Sequence, residues 1–119
     1  MITDEFAKAF AAAWINAWNN HNLEHILEHY ENDVAFYSPL IRLLNFNNEG
    51  AIKNKADLKK YFETGLKNYP DLHFKLHHCF AGVHSIVIYY SSVNEQLCAE
   101  VFELSENGKA KRVLCNYAQ

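Results

Sequence analysis

Apolar residues recur every four positions near the start of the chain, at Phe6, Phe10, Trp14 and Trp18, with Ala13 and Ala17 widening the stripe. This spacing predicts a helix with one buried face. Thr3 is placed to cap it, and Asp4 and Glu5 favour its positive end. Burying one such tryptophan contributes about 4–6 kcal/mol gross, at ~25 cal/mol per Å² over ~150–250 Å². Asn22 is the expected cap of a short second helix whose apolar positions are Leu23, Ile26, Leu27 and Tyr30. A strand follows at Asp33–Ser38, stopped by Pro39, and weaker strands are expected at Ile41–Phe46 and Ala51–Lys53 around a Gly50-containing turn. Asn54 and Asp57 have capping-box spacing for a third helix with Leu58, Tyr61, Phe62, Gly65, Leu66 and Tyr69 on one face, ended by Pro70.

Beyond Pro70 the period changes to two. Strands are expected at Leu72–Phe80, Ser85–Val93, Gln96–Leu104 and Lys109–Tyr117, with Asn107-Gly108 marking the last hairpin. Helices followed by a meander give an α+β fold, with N-terminal helices packed on one face of a curved antiparallel sheet. A two-residue turn at Asn94-Glu95 would set Tyr89 opposite Glu100, Val87 opposite Phe102 and Ser91 opposite Cys98. In the last strand Val113, Cys115 and Tyr117 share a face. Ile86, Ile88 and Tyr90 would then lie on the reverse face of the sheet, which is apolar too. A sheet greasy on both sides needs a second cover, and a homodimer through the outer face is expected.

Glu100 breaks the pattern most informatively. It shares a strand face with Cys98, Phe102 and Leu104, where an apolar side chain belongs. A carboxylate there is either paired structurally with a hydroxyl or an Arg, or it lines a cavity that tunes its ionisation. In the second case burial raises its pKa toward neutrality and makes it an acid–base group, with Tyr89 as the adjacent phenol. The histidines suggest a metal less than their spacing implies. His21, His25 and His29 alternate with Glu24 and Glu28 opposite the apolar stripe, as a solvated face does. His73 and His77 read the same way, and His78, on the apolar side, is expected at a strand end.

The 119 residues suit one domain, half of them apolar. A net charge of −3 and scattered basic residues exclude a nucleic-acid footprint. No apolar run is long enough for a bilayer, and the first residues lack the pattern of a signal peptide. Three cysteines without a CxxC pair fit free thiols in a reducing cytoplasm.

The block Trp14-Ile15-Asn16-Ala17-Trp18-Asn19-Asn20-His21-Asn22-Leu23, continuing to Tyr30-Glu31-Asn32-Asp33-Val34 and Ser38-Pro39, resembles the opening of SnoaL-like proteins. These belong to the nuclear transport factor 2-like, ketosteroid isomerase-like superfamily. Lys55-Ala56-Asp57-Leu58, Tyr61-Phe62, Pro70-Asp71-Leu72-His73-Phe74 and Glu100-Val101-Phe102-Glu103-Leu104 extend the resemblance over nearly the whole chain.

The resemblance implies a cone-shaped α+β barrel enclosing an apolar pocket. In the ketosteroid isomerases a first-helix tyrosine and a late protonated acid hold the enolate, and an aspartate before a proline moves the proton. Those positions fall on Trp14, Glu100 and Ser38, so two of the three groups are changed in kind. SnoaL-like cyclases use a single acid–base aspartate. The expected ligand is a small, largely apolar organic molecule, handled without a cofactor by an isomerase, cyclase or lyase step or only carried. The expected pocket lining comprises Trp14, Trp18, Tyr30, Phe36, Ser38 and Phe62. Val87, Phe102, Val113, Cys115 and Tyr117 complete it.

Overall fold

The computed structural model describes residues 1–119. Helix α1 runs Asp4–Asn19, and its Thr3 cap accepts from the Phe6 N–H at 3.0 Å. Its buried side is Ala7, Phe10, Ala11, Trp14, Ile15, Ala17 and Trp18. Ala13 is exposed rather than part of the stripe, and Phe6 stays 42% exposed at the helix start. Helix α2 (Leu23–Leu27) is capped by Asn22, and Tyr30 opens strand β1 (Tyr30–Tyr37) instead of closing that helix.

The expected strand at Ile41–Phe46 is instead a short helix, α3 (Pro39–Leu43). The Ser38 hydroxyl accepts from the Leu40 N–H at 3.2 Å, and Pro39 occupies the first helical position, where its fixed φ suits a helix and its missing N–H costs nothing. Strand β2 is only Ala51–Ile52. Helix α4 (Lys55–Asn68) starts at the Asn54 cap, which accepts from Asp57 N–H at 2.8 Å. Strands β3 (Lys75–Ala81), β4 (Ser85–Ser91), β5 (Leu97–Leu104) and β6 (Ala110–Tyr117) follow.

The six strands form one sheet in the order β2-β1-β6-β5-β4-β3. Every pairing is antiparallel except β1 with β6, which is parallel and brings Phe36 opposite Val113. The fold is thus the α+β cone, with the sheet left open between β2 and β3. Helix α1 packs into the concave side: Trp14 meets Phe102 at a ring-centroid distance of 5.4 Å and Phe74 at 5.8 Å, and Phe10 meets Phe102 at 5.4 Å.

The β4–β5 register differs from expectation by one residue. Ser91 pairs with Leu97, so the connection is the five residues Ser92–Gln96, in which Asn94 and Glu95 take φ of 57° and 59°. A slip of one residue exchanges the faces of a strand. Ile86, Ile88 and Tyr90 therefore point into the core and are fully buried, while Val87 and Tyr89 lie half-buried on the outer face. Tyr89 sits opposite Ala99, not Glu100. A bulge between Leu76 and His78 turns His78 outward opposite Tyr89, in mid-strand rather than at a strand end.

Candidate functional site

Strand β5 alternates as expected: Cys98, Glu100, Phe102 and Leu104 are buried, and Ala99, Val101 and Glu103 between them are half-exposed. Glu100 is 3% exposed. Its lateral neighbours are Ile88 and Cys115, and the phenol that reaches it is Tyr90, whose hydroxyl donates to Oε1 at 2.7 Å. The Cys98 thiol stands 4.0 Å from the same oxygen. Burial pushes the carboxyl from 4.5 up to about 7. The Tyr90 hydroxyl and the Cys115 thiol favour the charged form and keep it from rising further. Near neutral pH both protonation states are populated, as proton transfer in either direction requires.

This carboxyl lines a cavity of about 70 Å³ whose lining is mostly apolar. The floor is built of buried residues from several elements, among them Trp14 and Trp18 of α1, Phe36 of β1 and Phe62 of α4. The rim is half-buried: Leu40 and Leu44 near α3, Gly65 of α4 and Tyr69 just after it, Val93 in the β4–β5 connection, and Tyr117 at the end of β6. Of the expected lining, Trp14, Trp18, Phe36, Ser38, Phe62, Cys115 and Tyr117 do face the cavity, as does Glu100. Tyr30, Phe102 and Val113 are buried in the core but do not line it, and Val87 and Tyr89 are on the opposite side of the sheet. Tyr61, Phe74 and Tyr90 are lining residues that the sequence reading missed. For Tyr90 a signal existed: Ile86, Ile88 and Tyr90 form the greasier face of β4, since Ser85 and Ser91 share the other with Val87 and Tyr89.

The polar groups differ in what they have left to offer. The Trp14 indole N–H donates to the Tyr30 hydroxyl at 2.9 Å, so it is already committed. The Trp18 indole nitrogen is buried without a protein acceptor. Ser38 is spent partly on capping α3. Burial raises the pKa of Tyr61 and Tyr117, which remain O–H donors at physiological pH. The Cys115 thiol is raised by burial, and Cys98 is pushed up to about 12 by burial and then by the Glu100 charge, so neither thiol is a nucleophile.

The histidines are scattered. His25 is exposed, His29 has Nδ1 3.0 Å from the His25 carbonyl, and His21 has Nε2 2.9 Å from the Leu72 carbonyl. No three His, Cys, Asp or Glu side chains gather as a metal-holding group. No helix is long and apolar enough to cross a membrane.

Comparison with known proteins places this geometry. No curated protein matches the chain. Among solved structures, a SnoaL-like protein of unknown function from Burkholderia thailandensis is 35% identical, covering 99% of this chain and 98% of its own with a TM-score of 0.95. The epoxide hydrolase/cyclase-like enzyme SalBIII, of pyran ring formation in salinomycin, is similar in fold at 15% identity, covering 100% and 95%, with a TM-score of 0.78. A Kribbella flavida protein proposed to be a ketosteroid isomerase gives 18% identity, 97% and 79% coverage, and a TM-score of 0.71. The model of the SnoaL-like domain matches residues 11–113, and with that span and the Burkholderia relative the chain belongs to the SnoaL-like family.

Proposed function

We propose that the cavity binds a small, largely apolar molecule carrying a carbonyl, and that Glu100 moves a proton at the neighbouring carbon. In its carboxylate form Glu100 takes the proton from that carbon and then returns it elsewhere on the same molecule. Returned to another carbon, the proton completes an isomerisation. Given to the alkoxide left when the enolate adds to a second carbonyl of the ligand, it completes a cyclisation. Given to a departing β-hydroxyl, it completes an elimination as water leaves, and none of these requires a cofactor. Tyr61 and Tyr117 supply O–H donors for the developing oxyanion, and Tyr90 holds the carboxyl in place. Trp14 is not the polarising group, because its N–H is already bonded to Tyr30.

The observation that carries this reading is a fully buried carboxyl, balanced near pH 7, on the wall of an apolar cavity. Glu100→Gln tests it: an isomerase loses turnover while ligand binding is nearly kept. Unchanged turnover in that variant would remove Glu100 from the chemistry. A second reading, a ligand carrier without chemistry, is favoured by Ser38: it occupies the position of the family's base, yet its hydroxyl caps a helix.

We also propose a homodimer through the outer sheet face. Phe80, Val87, Val101 and Leu114 pair in a continuous row across four strands, and Phe80 is 52% exposed. Three free thiols suit a reducing cytoplasm.

A further inference from the structure

Three of the four glycines have a local reason to be glycine. Gly50 and Gly108 adopt φ of +71° and +76°, and a Cβ on Gly82 would meet Ser85 Oγ at 2.9 Å. Gly65 has no such reason. It lies within α4, its carbonyl accepts from the Tyr69 N–H at 3.0 Å, and a Cβ built there meets nothing within 4 Å. Glycine inside a helix lowers the folding equilibrium by a factor of about five relative to alanine. The sequence accepts that loss on the rim of the cavity.

Size explains why the rim matters. The cavity of about 70 Å³ is less than half of the roughly 150 Å³ that accommodates benzene in an engineered protein interior. A carbonyl end of a few heavy atoms fits beside Glu100, and a larger ligand must leave over the rim. No Lys, Arg or His lines the cavity itself, so the part of a ligand held inside it meets no cation. The other half-buried lining residues include Leu40, Leu44, Tyr69, Val93 and Tyr117, whose side chains suit hydrocarbon.

We propose that Gly65 is the specificity-determining gap of this pocket: the ligand places a carbonyl end beside Glu100 and passes an unbranched apolar tail out over Gly65. This inference rests on the reading of the pocket given under Proposed function. The experiment is a titration with 2-alkanones from 2-butanone to 2-nonanone, followed through the indole N–H resonances of Trp14 and Trp18. In the wild-type protein, affinity should rise with each added methylene, by at most about fourfold, the gain from fully burying one CH₂. In Gly65→Leu, 2-butanone should bind within about twofold of wild type, while the rise with chain length disappears. Gly65→Ala should raise the melting temperature, since the added methyl meets open space. A flat affinity series in the wild type, a preserved rise in Gly65→Leu, or a lower melting temperature in Gly65→Ala would each overturn the proposal while leaving ketone binding itself intact. If no ketone of any length moves either indole, the proposal and the underlying reading of the pocket fall together.

Discussion

The hydroxyl of Tyr90 donates to Oε1 of Glu100 across 2.7 Å, and both groups are buried. The bond stabilises the charged form of the carboxyl, against the burial that disfavours it. Tyr90→Phe removes it and should raise the Glu100 pKa above its value of about 7. Carbon-13 NMR of the glutamate side-chain carboxyl reads this directly. An unchanged or lower pKa would mean that Tyr90 does not hold the carboxylate.

Stability should depend on pH with a definite sign. Glu100 titrates near 4.5 in the unfolded chain and near 7 in the fold. Between these values the folded state keeps a proton that the unfolded chain has released. The advantage is complete below pH 4.5 and lost as pH rises through 7, for a total of ~3 kcal/mol. His29 acts in the opposite sense: burial lowers its pKa, so its contribution is lost as pH falls below 6.5. The difference between wild type and Glu100→Gln isolates the carboxyl. In urea denaturation that difference should shift in favour of the variant by about 2–3 kcal/mol from pH 5 to pH 8. A difference independent of pH would show that burial does not perturb Glu100.

The Trp14–Tyr30 bond gives a prediction about stability alone. Trp14 is 1% exposed and Tyr30 0%. Tyr30→Phe keeps the ring but strands the Trp14 N–H, at an expected cost of ~1–3 kcal/mol in guanidinium denaturation with an unchanged slope. A loss below about 0.5 kcal/mol would mean that the indole finds another acceptor.

The outer face predicts the assembly. Val101 is central in the apolar row, between Val87 and Leu114. Sedimentation at micromolar concentration should give a dimer for the wild type and a monomer for Val101→Lys, whose charge cannot be buried without a partner. A wild-type monomer would contradict the proposed interface.

Much of the architecture was legible because it is written in period and capping. Thr3, Asn22 and Asn54 accept the hydrogen bonds their positions imply, and the faces of β5 and β6 came out as alternation requires. Three things were not legible. Ser38-Pro39 stops a strand and starts a helix with the same residues, and only the helical outcome places Leu40 and Leu44 at the rim. The β4–β5 connection depends on Asn94 and Glu95 entering the left-handed region, a conformation glutamate rarely adopts and sequence does not announce. That one residue of register exchanged Tyr89 for Tyr90 beside the carboxyl. Tyr61 and Phe74 were missed for another reason: periodicity marks a residue as buried but not whether it borders a void.

The parallel joint between β1 and β6 governs how this protein is made as well as how it looks. Its last strand is wedged between the first strand and the other hairpins, so neither flank has a ladder of its own to the other. The entropy of bringing together segments as far apart in sequence as Phe36 and Val113 must be met before the hollow exists. Closure of the hollow is therefore expected late in folding, and loss of β6 would cut the sheet in two rather than trim its edge.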